Sequence, residues 1–300
     1  MNSPLALAGV GTALVTPFLQ DGSLDLASLR SLVEWQIANG VALLVACGST
    51  GEAATLSEDE TVEVVQTVVE VAAGRAPVFA GCTHNSTAEA VRRAKVLAAV
   101  PGVTGILTAN PYYSKPNQRG QFLHFQAIAD AVARMPVLLY NIPGRTAANL
   151  EPATVLQLAK ACSNVVGAKE SSGSMQQITE LIAGAPAGFH VLAGDDYLAL
   201  PVLAAGGVGV VSVASNVAPA QVIRMMRSAS QGDWTTAHLL AKQLAALTAA
   251  LFREPNPCPA KSLLRSMGRI QDDAVRLPLV PVTDALRDEL KRLAAELQLS

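Results

Sequence analysis

A lone ammonium, Lys169, ends the apolar run Val165-Val166-Gly167-Ala168 in the segment VVGAKESSG. An amine at the edge of an apolar pocket is disfavoured as a cation, and its neutral form attacks carbonyls, which is the chemistry of a Schiff base. The ordinary alternative is a strand-end lysine that reaches solvent or pairs with Glu170, and the lysine alone does not separate the two. Its company includes the hydroxyls of Gly48-Ser49-Thr50-Gly51-Glu52, the phenols of Tyr112, Tyr113 and Tyr140, and the guanidinium of Arg145. The Gly-Ser-Thr-Gly segment reads as a plain turn, yet successive N–H groups and hydroxyls also make a nest for a small carboxylate. The tyrosines read equally as packing aromatics with satisfied hydroxyls. Asp195-Asp196 suits a helix cap better than a metal, because no histidine or further carboxylate stands at ligand spacing. His84, His124, His190 and His238 form neither a metal nor a triad pattern. Conjunction, not any single member, raises the functional reading.

The elements that must position these groups are short β-branched or aliphatic runs alternating with amphipathic helical patterns as far as about Gly232. The pattern predicts strands at Val10–Thr16, Ala42–Gly48, Pro77–Cys82, Gly105–Ala109, Pro136–Asn141, Val165–Lys169, His190–Gly194 and Gly209–Val213. Ser57 to Glu60 and Ser86 to Glu89 both match a capping box, and Pro152 suits a first helical turn. Eight βα units in one run are the pattern of a (β/α)8 TIM barrel, an α/β fold, and a doubly wound sheet is the alternative. No GxGxxG follows the first strand and no GxxxxGK[ST] occurs, which weakens the Rossmann and P-loop readings. Barrel enzymes do chemistry at the C-terminal ends of their strands, and the reactive residues follow strands two, four, five, six and seven. After Gly232 the strand signals stop. Trp234–Phe252, Ala260–Met267 and Asp284–Leu297 read as three helices, with EPNPCP a proline-stiffened bend between the first two. Residues 1–232 are thus expected to form a barrel catalytic domain and 233–300 a C-terminal helical appendage.

Half of the 300 residues are apolar and 15% are charged, so the chain can bury a large core. The net charge of −2, with no basic stripe, argues against nucleic acid or an anionic membrane as partner and for small molecules. Cys47, Cys82, Cys162 and Cys258 are irregularly spaced without CxxC, which suggests neither zinc nor a disulfide framework and fits a reduced, cytoplasmic setting. The opening MNSPLALAGVGTALVTPF lacks the basic region of a signal peptide, and no segment has the apolar length of a membrane span.

With GSTGE, NPYYSKP, YNIPGR, GAKES, AGDD, GVGVVSV and EPNPCP in order, the chain resembles the 4-hydroxy-tetrahydrodipicolinate (dihydrodipicolinate) synthase family over essentially its whole length. That family is one of the pyruvate-dependent class I aldolases, which also include N-acetylneuraminate lyase. The resemblance implies a lyase on a TIM barrel, a homotetramer of two tight dimers, no metal or organic cofactor, and condensation of pyruvate with L-aspartate 4-semialdehyde toward diaminopimelate and lysine. Lys169 falls on the imine-forming lysine, and Thr50, Tyr140 and Tyr113 fall on a proton relay in which the Tyr113 position is inserted from the neighbouring subunit. Arg145 falls on the clamp for the aldehyde substrate's carboxylate. Ser49 and Thr50 match the pair that grips the pyruvate carboxylate, with Gly194 and Val211 supplying backbone contacts.

Ser49 departs from the family pattern, since many synthases carry threonine there and serine is familiar from the sialic-acid lyase branch. The alternative is therefore a related pyruvate aldolase or lyase acting on a sugar acid or hydroxy-oxo acid, and the assignment of substrate rests chiefly on Arg145. Asn85, Glu89 and Tyr112 fall on positions that bind lysine as feedback effector at the tight-dimer interface. Glu58 and Thr61 stand where sensitive relatives often carry histidines, so weak or incomplete inhibition is expected.

Overall fold

The short β-branched and aliphatic runs of the first 213 residues do form strands: β1 (Gly9–Ala13), β2 (Leu43–Ala46), β3 (Val78–Gly81), β4 (Gly105–Ala109), β5 (Val137–Asn141), β6 (Val165–Glu170), β7 (His190–Ala193) and β8 (Gly209–Ser212). All are parallel, each pairs with the next, and β8 returns to β1, so the sheet closes into a barrel without an edge. The structure is a computed structural model that describes residues 7–299. Residues 1–6, where the N-terminal leader reading begins, and Ser300 lie outside the described residues.

Every predicted strand is present, with ends shifted by a few residues. The largest shift is in β1, which stops at Ala13 rather than Thr16. Beyond it the backbone finds side chains and loops instead of a ladder: Val15 N–H donates to Asn216 Oδ1 at 3.1 Å, and Thr16 Oγ1 donates to Gly51 O at 2.8 Å.

The helices that cover the barrel are α1 (Leu26–Ala38), α2 (Glu58–Ala72), α3 (Thr87–Ala98), α4 (Gln118–Ala131), α5 (Pro143–Thr146), α6 (Pro152–Ala161), α7 (Met175–Gly184), α8 (Ala199–Ala204) and α9 (Pro219–Ser230). Ser57 begins α2 with the predicted reciprocal capping box to Glu60, and Pro152 opens α6. The second predicted box is absent: Ser86 makes no side-chain cap, its own N–H donates to His84 Nδ1 at 3.0 Å, and the carboxylate of Glu89 is taken by Arg92 and Arg93 one turn on. Three further helices follow, α10 (Trp234–Leu251), α11 (Cys258–Ser266) and α12 (Asp284–Glu296). Expected to start at Ala260, α11 begins two residues earlier, since Pro259 sits in a first turn where its missing N–H costs nothing. α10 packs along α9, and α12 packs on both α10 and α11. Among the described residues no helix is long and apolar enough to cross a membrane.

Two apolar layers hold the fold. Leu43, Val45, Phe79, Leu107, Leu138, Leu192 and Val211 fill the barrel interior, while Ile106, Val137, Leu139 and Ala168 belong to the larger core between strands and helices. Side chains therefore alternate in and out along β5, with Leu138 and Tyr140 inward. β6 breaks the alternation: Val137 pairs with Val165, but Leu138 pairs with Gly167, so one extra residue is accommodated at Val166. A bulge of this kind re-aims every side chain beyond it. Val165 and Ala168 then both face the helices, and Lys169 comes into register with inward-facing Tyr140.

Candidate active site

The pairing of β5 with β6 sets Lys169 Nζ 4.1 Å from the centroid of the Tyr140 ring. Lys169 is only 5% exposed, which excludes the solvent-reaching alternative. Pairing with Glu170 is excluded too, because that carboxylate faces the other way. It accepts from Asn141 Nδ2 at 3.1 and 3.2 Å, Ser172 N–H at 2.7 Å and Gln177 Nε2 at 3.2 Å. Among the described residues no carboxylate pairs with Lys169. The amine is thus buried beside an aromatic face, with no carboxylate to hold it away from a bound carbonyl.

Gly194 follows β7 and gives the lysine its room. A Cβ there would lie 2.1 Å from Ser171 Oγ and 2.8 and 2.9 Å from Lys169 Cε and Cγ. Val211 on β8 is fully buried in the barrel interior.

The segment after β2 turns tightly, with Gly51 N–H donating to Gly48 O at 3.0 Å and Glu52 N–H to Ser49 O at 3.2 Å. Between them the N–H groups of Ser49 and Thr50 meet no acceptor among the described residues, which leaves two adjacent donors for a small anion. Ser49 is exposed and Thr50 is buried. Thr50 Oγ1 accepts from Asn256 Nδ2 at 3.0 Å. Glu52 turns away, accepting from Lys261 Nζ at 2.7 Å and from Arg276 N–H at 3.1 Å.

A cavity of about 580 Å³ opens here, walled by Ser49, Tyr112, Tyr140, Arg145, Asn256 and Leu279 among others. Lys169 and Thr50 adjoin it through Tyr140 and Asn256. Arg145 stands exposed on the short helix α5, and among the described residues no carboxylate occupies its guanidinium. Burial pushes the Cys47 and Cys82 thiols in the same wall up to about 12, so neither supplies a thiolate near neutral pH.

Tyr113 is not brought into this cavity. It is 87% exposed, with a left-handed φ of 73°. Tyr112, in contrast, lines the wall and meets His84 edge-on at 6.4 Å. Of the other three effector candidates, Glu58 opens α2 and lines the same wall, Asn85 is half-buried before α3 and Glu89 is on α3. Glu58 is not a free carboxylate. Arg92 Nη1 donates to it at 2.8 Å and Arg92 also donates to Glu89, so the Glu58 carboxyl is held below its usual range and that of Glu89 falls to about 2. Asp195 caps the turn Asp196–Leu198 through Tyr197 N–H, as a cap reading of that pair required. Asp196 instead braces the end of β8, accepting from Ser212 Oγ at 2.5 Å and from Val213 and Ala214 N–H at 3.0 and 3.2 Å, while burial raises its carboxyl pKa.

Sequence reading missed Asn256, Arg92 and the buried Glu52–Lys261 pair. The prolines of EPNPCP signalled a rigid bend around Asn256, but its partner Thr50 lies 206 positions away in the chain. No local pattern links the two.

Residues 6–297 match the Dihydrodipicolinate synthetase family. A 4-hydroxy-tetrahydrodipicolinate synthase of Koribacter versatilis (strain Ellin345) is 55% identical over 97% of this chain and 96% of its own. That of Acidobacterium capsulatum is 52% identical over 98% and 96%. The crystal structure of dihydrodipicolinate synthase from Aquifex aeolicus superposes with a TM-score of 0.94 at 38% identity, covering 98% of this chain and 99% of that one. With likeness running through barrel and C-terminal helices alike, the chain belongs to the dihydrodipicolinate synthetase family.

Proposed function

We propose that the chain is a 4-hydroxy-tetrahydrodipicolinate synthase, condensing pyruvate with L-aspartate 4-semialdehyde through an imine on Lys169. The observation that carries this reading is the buried, unpaired Lys169 amine against the Tyr140 phenol. The free amine attacks the pyruvate ketone, and loss of water leaves an imine whose cationic nitrogen draws electrons from the adjacent methyl group. Loss of a methyl proton gives an enamine, and that carbon attacks the aldehyde. The adduct's own amino group then displaces Lys169 as the ring closes. Protons pass through Tyr140, Thr50 and Tyr113, hydroxyls that give and recover a proton in turn. Every step uses side chains and substrate, with no metal or organic cofactor.

Ser49 and Thr50 hold the pyruvate carboxylate, a role supported by their two unclaimed N–H groups. The unpaired fork of Arg145 suits the carboxylate of the aldehyde substrate. Gly194 and Val211 shape the wall around the imine. Residues 1–232 form the catalytic unit and 233–300 its helical appendage. The working assembly is a cytoplasmic homotetramer of two tight dimers, in which the exposed Tyr113 enters the neighbouring subunit's site.

Borohydride with pyruvate tests the reading: reduction should fix a covalent adduct on Lys169, absent in Lys169→Ala, and label on Lys115 or Lys261 would overturn it. Arg145→Ala should raise KM for aspartate semialdehyde far more than for pyruvate. Equal effects, or turnover of N-acetylneuraminate in a parallel assay, would move the chain to the sugar-acid branch. Weak lysine feedback through Asn85, Glu89 and Tyr112 is also proposed, with Glu58 already bound to Arg92 and so poorly placed to take the effector. Titration of L-lysine against initial rate decides this, and strong inhibition at micromolar lysine would refute it.

A further inference from the structure

We propose that Asn256 is a positioning residue that aims the Thr50 hydroxyl, so that the C-terminal segment sets the direction of proton transfer in a site otherwise built by the barrel. The inference rests on the Schiff-base reading above. A hydroxyl has one proton to give and lone pairs to receive, and its rotor follows whatever donor reaches it. Asn256 Nδ2 donates to Thr50 Oγ1 at 3.0 Å, and both residues are more than nine-tenths buried. With a donor on its oxygen, Thr50 turns its own proton elsewhere. Other threonines nearby spend theirs on backbone: Thr16 on Gly51 O, Thr61 on Ser57 O and Thr146 on Ile142 O. Among the described residues nothing takes the proton of Thr50, which leaves it for the reacting groups.

The backbone that carries the amide is held in a tight bend. Pro255 and Pro257 flank it, Cys258 N–H closes the turn onto Pro255 O at 2.9 Å, and Lys261 N–H continues it to Pro257 O at 3.0 Å. The same two segments meet again two residues past Thr50, where Lys261 Nζ and Glu52 Oε1 pair at 2.7 Å with both side chains fully buried. A neutral hydrogen bond and an ion pair therefore tie the loop after β2 to the start of α11 at two points. The ion pair fixes the separation and the amide fixes the hydroxyl.

The test is a cycle of Asn256→Ala, Thr50→Val and the double variant, with kcat, KM for pyruvate, thermal melts and borohydride adduct followed together. Asn256→Ala should lower kcat by about tenfold or more while KM for pyruvate changes by no more than about twofold. In the Thr50→Val background it should cost nothing further. Asn256→Asp keeps the size but replaces the donor by an acceptor at neutral pH. It should match the alanine loss from about pH 7 to 8, where the carboxyl is ionised. Asn256→Ser replaces Asn256→Ala should the latter fail to melt cooperatively. Independent, multiplicative losses, or full activity of Asn256→Asp across that range, would overturn the inference. Absence of any Lys169 adduct in the unaltered protein would instead overturn the Schiff-base reading beneath it.

Discussion

At the scale of single residues, the chemistry depends on where atoms are absent as much as where they are present. Lys169 reaches Tyr140 only because position 194 has no side chain, and a methyl group there would overlap Ser171 Oγ and the lysine's own carbons. Ser171 and Lys169 cannot both keep their rotamers beside a larger residue. Gly194→Ala is expected to cut kcat/KM by about a hundredfold, the cost of displacing a reacting group by an ångström. A matching loss of borohydride adduct with a retained cooperative melt would confirm the cause; an adduct formed at the normal rate would show that Lys169 keeps its place.

Among the elements, α2 is the one most firmly tied to distant sequence. Its N-terminal carboxylate Glu60 both completes the capping box and receives Arg276 from the loop before α12, at 2.5 and 2.8 Å. The Arg276 guanidinium first, and then the Ser57 N–H, hold the Glu60 carboxyl at about 2, against 4.5 for the free group. Because the folded value is the lower one, the stabilisation is complete above about 4.5 and disappears as pH falls toward 2. Glu60→Gln should therefore destabilise the protein by about 1 kcal/mol at neutral pH, after allowance for solvent screening at this half-buried site. Thermal melts of the two proteins should converge as the solution is acidified. A gap that stays constant down to pH 3 would mean that the carboxylate contributes through shape and not charge.

On the scale of the whole molecule, the single chain carries a cavity walled by Tyr140 and Arg145 and adjoined by Lys169 and Thr50, while the exposed Tyr113 lies outside that wall. The proposed relay is complete only if a second copy supplies that phenol. Mixing inactive Tyr113→Phe with inactive Lys169→Ala protomers should then restore activity, because each hybrid dimer holds one intact site. No recovery, with hybrids confirmed by native mass spectrometry, would assign Tyr113 to its own subunit or to no role.

What the sequence determined by itself follows from local physics. Strand and helix periodicity, capping at Ser57, proline at the start of α6 and eight repeated βα units all report short-range preferences, and these prescribe the barrel and put the reactive residues at its strand ends. Local pattern misled at Ser86, where Arg92 and Arg93, one turn on in the same helix, hold the carboxylate a capping box needs. The facing of Lys169 was not legible, since strict alternation from outward Val165 would have pointed it at the helices. Only pairing with β5, which takes up one extra residue at Val166, turned it inward. The bond from Asn256 to Thr50 and the buried pair of Glu52 with Lys261 were likewise decided by closure of the fold, because they join residues more than 200 positions apart whose types carry no mark of the partner until burial demands one.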